Sequence, residues 1–189
     1  MRFRLCALAF SIGFLLLPKR AEADGTDSPT RLRLTETSVT ESGRFSGTPH
    51  LKVQTKGYGF TYISPYGVGA SYTSLVTAGR SSAEGGPVEV RAEHRYVDLG
   101  YTLGFFDQRL LLTGGGGLGV SGKATAEAAG VKSALGMQDG KCLFLGPGFS
   151  IGFFEVYWIH RRNWVRFAGD GFTSNLASSH YQLGLGAHF

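Results

Sequence analysis

Gly117, four intervening residues, Gly122 and Lys123 supply most of a phosphate-binding loop within the stretch TGGGGLGVSGKAT, residues 113 to 125. Such a loop wraps phosphates in backbone N–H groups, sets a lysine on them and follows it with Ser or Thr to hold magnesium. Here Ala124 follows the lysine, so the metal ligand is missing. A second cluster, Ile159-His160-Arg161-Arg162-Asn163, offers a histidine that could serve as a general base. Hydrolysis by such a base also needs a nucleophile and an orienting group, and the segment itself carries neither a serine nor an acid. Cys142 is the only cysteine beyond the first few residues, which excludes an internal disulfide and the usual cysteine metal spacing. It reads as a small packing residue.

The elements that must position these residues begin after a leader. Arg2 and Arg4 precede an apolar run of 13 residues, Leu5 to Leu17, then Pro18 and the small residues Ala21 and Ala23 around Glu22. This predicts a secretory signal over 1–23, because the run is short against the ~20 residues of a spanning helix. One domain over 24–189 is the expectation. Setting aside Arg2, Arg4, Lys19, Arg20 and Glu22 leaves 15 basic and 13 acidic residues of the 19 and 14 in the whole chain. That balance, without a basic cluster interleaved with aromatics, argues against nucleic acid as a partner. Glycine, at 29 residues, is about twice its usual ~7% share, and aromatics are abundant. An exported, glycine-rich chain whose apolar runs are short fits β-structure.

Period-two alternation is clearest at the end of the chain. Tyr181, Leu183, Leu185, Ala187 and Phe189 form one apolar face against His180, Gln182, Gly184, Gly186 and His188. Val97, Leu99, Tyr101, Leu103 and Phe105 repeat the pattern, and Glu89, Arg91, Glu93 and Arg95 continue their phase with charges, as a strand leaving an apolar layer for water would. After Asp107 and Gln108 the alternation resumes through Leu110, Leu112, Gly114, Gly116, Leu118 and Val120, so the glycine run belongs to a strand and not to a nucleotide site. YTLGFFD (101–107) and FSIGFFE (149–155) repeat one unit, read as the foot of a descending strand followed by a tight turn, with SPYG (64–67) a third such turn. Eight strands follow, near 30–39, 50–63, 66–79, 90–105, 109–122, 141–152, 155–167 and 178–189. Connectors alternate between short turns and longer polar loops near 40–49, 80–89, 123–140 and 168–177, as in an outer-membrane barrel. A bulge near Lys56-Gly57 is expected, because aromatic Tyr58, Phe60 and Tyr62 fall out of phase with Leu51 and Val53. A bulge or an early exit from the membrane is expected in 155–167, to keep Arg161 and Arg162 off lipid.

The leader, the eight amphipathic strands and the terminal Phe189 behind Ala187, Leu185, Leu183 and Tyr181 resemble the small outer-membrane barrels of Gram-negative bacteria: the OmpA membrane domain, OmpX and Ail, and the opacity-type proteins. The resemblance implies an all-β, eight-stranded antiparallel transmembrane up-and-down barrel in the outer membrane, with no cofactor and no metal. It implies that Tyr181, Leu183, Leu185, Ala187 and Phe189 carry the signal read by the barrel assembly machinery. IHRRN (159–163) is also similar in position to the histidine segment of outer-membrane lipid A deacylases. His160 matches their histidine, but Arg162 occupies the serine position, and Ser179 or His180 stands where an acid is expected.

An eight-stranded barrel has room inside only for side chains. Gly115, Gly117 and Gly119, turned inward, would make space for long polar residues opposite. Arg31, Arg33, Lys52, Lys56, His94, Asp98 and Gln182 are expected in this lumen as a paired polar plug, with His160 and Arg162 as weaker members. Asp98 should pair with an inward arginine or lysine that the sequence does not identify. Arg161, Arg162 and Arg166 are expected to form a belt meeting lipid phosphates, with Trp158 and Trp164 at the interface. The expected role is structural or surface-interacting, through exposed loops, and not enzymatic. Partners would be outer-membrane lipid and lipopolysaccharide, the assembly machinery and a host or surface protein. Two alternatives stand beside it: a lipid A-modifying hydrolase using His160, and a soluble periplasmic barrel holding a small apolar ligand.

Overall fold

A computed structural model describes residues 29–45, 52–83, 86–128, 130–169 and 172–189. The expected signal over 1–23 lies outside the described residues. Eight strands follow in order: β1 (Arg31–Phe45), β2 (Lys52–Ile63), β3 (Val68–Ala83), β4 (Gly86–Phe105), β5 (Leu110–Ala128), β6 (Val131–Ile151), β7 (Phe154–Gly169) and β8 (Phe172–His188). Each pairs antiparallel with its neighbour in sequence, and β1 pairs with β8, closing the barrel. Closure leaves no strand at a free sheet edge, the condition for strands to stand in lipid; the seam between β1 and β2 is paired from Arg31 and Ile63 to Glu36 and Tyr58. Thr30 and Phe189 exchange both backbone hydrogen bonds, at 3.1 and 3.0 Å, so the two ends of the described chain meet at the rim that carries the tight turns.

Those turns lie at 64–67, 106–109 and 152–153. Phe106, Asp107 and Gln108 are all left-handed, with φ of 52°, 54° and 68°. The repeated Gly-Phe-Phe-acid unit reaches this same rim twice but at different offsets. Asp107 sits in an exposed turn, whereas Glu155 is already the second residue of β7 and is turned inward, fully buried.

The opposite end differs from expectation. β3 and β4 stay paired out to Ala83 and Gly86, and β5 and β6 out to Ala128 and Val131. Most of the polar segments expected as loops at 80–89 and 123–140 are therefore strands, extending the wall as ribbons joined by short connections.

The wall reverses its polarity along its length. Near the turn rim the outward face is apolar: Val97, Tyr101, Leu103 and Phe105 on β4, Leu143, Leu145 and Phe149 on β6, Leu183 and Leu185 on β8. The inward face there holds Arg31, Arg33, Asp98, Thr102, Thr113, Glu155 and Gln182. Toward the far end the outward face carries Arg80, Glu89, Arg91, Lys123, Glu127 and Lys132. Inside, Phe45, Leu75, Val90, Ala92, Ala124, Leu135, Val165, Phe167 and Leu176 pack into one apolar cluster, with Val53, Val88, Ala126 and Met137 against it. The first half has the pattern of a barrel wrapped in lipid, the second that of a barrel wrapped in water.

Register shifts accompany this reversal. They fall between Thr37 and Val39 and between Thr40 and Ser42 in β1, where β4 and β5 meet at Arg95 and Tyr96, and between Met137 and Asp139 in β6. In β5 the shift moves the inward phase from Thr113 and Gly115 to Gly122 and Ala124, so Lys123 faces out beside Glu93 at 3.5 Å. No shift occurs in β2 near Lys56-Gly57, where the pairing to β3 is regular; the pairing to β1 ends beside it, at Glu36 and Tyr58. Val53 faces inward because the far interior is apolar, while Tyr58, Phe60 and Tyr62 face outward because the near exterior is apolar. β7 likewise runs without a shift against β8.

Candidate functional site

The interior of the near half is a pair of charge clusters built from the inward residues of six strands. Arg33 Nε donates to Glu155 Oε2 at 2.8 Å and Arg33 Nη1 to Thr113 at 2.7 Å. Arg31 pairs with the other oxygen of Glu155 and donates to Gln108 at 2.8 Å. One carboxylate thus serves two arginines, and the Arg33 guanidinium also lies over the Tyr157 ring, 4.7 Å from its centre. The second cluster centres on Asp98. Arg161 donates from Nη1 to Oδ2 at 2.7 Å and from Nη2 to Oδ1 at 3.0 Å, a two-point grip suited to a guanidinium. Thr73 donates to Oδ2 at 2.8 Å and the Cys142 thiol to Oδ1 at 3.2 Å. Arg161 also donates to Asn163 at 2.9 Å and lies over the Tyr96 ring. Charges this deep persist only when paired and hydrogen-bonded on most sides.

Between the clusters remains a cavity of about 20 Å³ bordered by Arg33, Asp98, Phe144, Arg161 and Gln182, about the space of one or two water molecules. The apolar cluster fills the barrel beyond it. The glycines of the opening stretch permit this filling. A Cβ at Gly117 would stand 2.0 Å from Asp98 Oδ1, and one at Gly115 would stand 2.2 Å from the Leu99 carbonyl oxygen and 2.6 Å from the Phe144 ring.

Arg31, Arg33, His94, Asp98 and Gln182 are all buried inside the barrel. Four expected placements are corrected. His160 and Arg162, expected as further members of the lumen plug, are exposed on the outward face of β7, because that strand runs in regular alternation with Arg161 turned inward. Lys56 is exposed on the outward face of β2, because β2 runs without the bulge that would have turned it in. Arg161 is 2% exposed and faces the lumen, so it is no member of a lipid-facing belt. Consecutive residues of a regular strand face opposite sides, and Arg162 and Arg166 take the outward one. Lys52 belongs to β2, but its side chain lies outside the described residues. Glu155, Thr73, Cys142 and Asn163 join the interior clusters without having been expected there. Only Glu155 left a signal, as the acid that closes the second Gly-Phe-Phe repeat.

Outside, β7 presents Phe154, Val156, Trp158, His160, Arg162, Trp164 and Arg166 in one column, apolar at the turn rim and basic beyond. His160 shares a hydrogen bond of 2.6 Å with Ser179 of β8 and lies against the Tyr181 ring, which also meets Trp158. The alternative partner His180 is buried in the lumen on the other face of β8. Arg162 lies over the Trp164 ring, 5.2 Å from its centre. Leu183 and Leu185 face out, Tyr181 and Ala187 are half-buried, and Phe189 ends the chain at the rim.

No family model and no curated protein matches the chain by sequence. Among solved structures, the attachment invasion locus protein Ail of Yersinia pestis aligns with a TM-score of 0.52 at 15% identity, over 85% of this chain and 97% of that one. Neisserial surface protein A aligns with a TM-score of 0.50 at 11% identity, over 85% of this chain and 96% of that one. A further structure of Ail, in complex with the heparin analogue sucrose octasulfate, aligns with a TM-score of 0.51 at 14% identity, over 85% of this chain and 97% of that one. The fold is that of the small outer-membrane barrels.

Proposed function

We infer that the chain is an integral outer-membrane barrel with a structural or surface-interacting role, its near half in the bilayer and its far half standing beyond it. The reversal of polarity along the wall carries this reading. An apolar exterior over a charged interior is stable in lipid, and a charged exterior over an apolar core is stable in water. A single chain holding both belongs at a membrane boundary. The surface offered to a partner is then a rigid β-wall more than a set of flexible loops. Side by side across four strands on its outward side stand Arg80, Glu89, Glu127 and Lys132, two acids flanked by two cations. The Ail and surface-protein neighbours support a role at the cell surface. The terminal strand, with Phe189 joined to Thr30, is read as the segment presented to the barrel assembly machinery.

Fractionation tests the reading. The protein should sediment with outer membranes and resist extraction by alkali, and recovery in the soluble periplasmic fraction would overturn it. The soluble alternative also lacks support from the interior, where paired charges and the apolar cluster occupy the space a small apolar ligand would need.

A second reading rests on the 2.6 Å bond between His160 and Ser179 on the outward wall. In it, Ser179 Oγ would attack the acyl carbonyl of a membrane lipid while His160 takes its proton and returns it to the departing alcohol oxygen as the ester C–O bond breaks. Water, deprotonated by His160, would then release the fatty acid from Ser179. Mass spectrometry of lipid A from cells with the protein, without it, and with Ser179→Ala decides between them. The structural reading expects identical acyl patterns, whereas a chain lost only in the presence of Ser179 would establish the hydrolase.

A further inference from the structure

The outward wall where β6, β7, β8 and β1 adjoin holds a cleft of about 390 Å³, within the range of small-ligand sites. Lys141, Trp164, Ala177 and Arg44 stand side by side across these four strands. Next to that row, Asp139, Arg166 and Asn175 form another. Ala177 is the small residue between two large neighbours, Trp164 and Arg44, which makes the surface concave at that point. With strands ~4.8 Å apart, Arg44 and Lys141 are separated by about 14 Å at the backbone.

Three cations, Arg44, Lys141 and Arg166, therefore border one depression with a single carboxylate, Asp139, among them. All four are exposed. The surroundings place the cleft along the membrane normal. One step toward the turn rim the same wall carries Leu143 and Arg162, then Leu145, His160 and Tyr181, then the fully apolar Phe149, Val156 and Leu185. Trp164, with Arg162 stacked on it, has the amphipathic character of an interfacial residue. On the β3–β5 side of the far exterior, Arg80 pairs with Glu89 and Lys123 with Glu93. This depression instead has a surplus of positive charge where acyl chains give way to headgroups.

We propose that this cleft binds a phosphorylated glycolipid headgroup of the outer leaflet, with Arg44, Lys141 and Arg166 on its phosphates and its acyl chains along Leu143, Leu145 and Tyr181. The proposal rests on the outer-membrane reading above. Arginine meets phosphate with paired donors and lysine as a point charge, and the spread of the three cations suits a headgroup bearing more than one phosphate. Ala177 and Trp164 would meet the sugar face.

The test uses the full barrel refolded in detergent, in a Trp158→Phe background so that Trp164 alone reports by fluorescence. Purified lipopolysaccharide is titrated against the same material with its lipid A phosphates removed, and against inorganic phosphate as competitor. The expected result is saturable binding to the phosphorylated lipid, weakened at least about tenfold by dephosphorylation. The triple variant Arg44→Gln/Lys141→Gln/Arg166→Gln should weaken it similarly, while Arg44→Lys/Lys141→Arg/Arg166→Lys keeps most of it. Equal binding of the two lipids, or unchanged binding in the neutral triple variant, would overturn the proposal. Displacement by inorganic phosphate at equal concentration would overturn it too, in favour of a free-anion site. Heat-modifiable migration of each variant reports an intact barrel, so loss of the site and loss of the fold are read separately. Failure of the outer-membrane reading would show instead in fractionation.

Discussion

Arg161 on β7 grips both carboxylate oxygens of Asp98 on β4, at 2.7 and 3.0 Å, across the barrel interior and with both side chains at most 2% exposed. Strands β4 and β7 are not neighbours in the ring, so this pair ties opposite walls together through the lumen.

Breaking it from one side should cost more than removing it. Asp98→Asn or Arg161→Met leaves a buried charge without its counterpart, and each should destabilise the barrel by about 3–5 kcal/mol. The double variant Asp98→Asn/Arg161→Met should recover much of that loss. Urea unfolding of the protein in lipid vesicles measures it, and additive losses in the double variant would mean that the two side chains act independently.

Glycines of the fifth strand should be intolerant by position. Gly115→Val and Gly117→Val drive a side chain into the Leu99 carbonyl and Asp98, whereas a Cβ at Gly136 of the neighbouring β6 meets only the Ala168 carbonyl oxygen at 3.9 Å. The first two should abolish the heat-modifiable folded band, and Gly136→Val should keep it. Equal behaviour of all three would contradict the packed interior.

The terminal residue should matter in cells more than in detergent. Deleting Phe189 removes two backbone hydrogen bonds at the rim, a cost of about 1–3 kcal/mol, which leaves refolding in detergent largely intact. Outer-membrane levels in cells should fall several-fold if the last strand is, as proposed, the segment presented to the assembly machinery. Equal losses in both settings would assign Phe189 a purely structural role.

Conduction should be absent even without the ion pair. The apolar cluster of Leu75, Tyr96, Leu135 and Phe167 stands in the lumen beyond Asp98 and Arg161, so Arg161→Ala in a planar bilayer should show no discrete channel openings. Stable openings in that variant would show that the charge pair, and not the apolar layer, closes the barrel.

Much of the barrel was legible because in β4 and β8 the apolar phase faces outward over a full bilayer width, and period two reads directly. The far half was not, for a physical reason. There the outward residues are charged and several inward ones are as small as Ala92, Ala124 and Ala126, so the composition of strand looks like that of loop. The same reversal hid Arg161. On β7 the inward residues Tyr157, Ile159, Val165 and Phe167 are as apolar as the outward Val156, Trp158 and Trp164, and pattern alone does not choose a face. Val53 misled in the same way, facing an apolar interior where a polar one was expected. The partner of Asp98 lies 63 positions away, and only closure of the ring sets the two opposite each other.

The reversal of polarity is the central claim, and depth-resolved quenching tests it most directly. Single cysteines would be placed at Leu103, Leu145 and Leu185 in the near half and at Glu89, Glu127 and Lys132 in the far half, in a Cys142→Ser background. Each carries a fluorophore, and the protein is reconstituted in vesicles containing brominated lipid, with iodide outside. The account predicts that the first three are quenched by the lipid and shielded from iodide, and the last three the reverse. Iodide reaching Leu103, Leu145 and Leu185 as readily as Glu89 would contradict it, because the apolar face would then be standing in water.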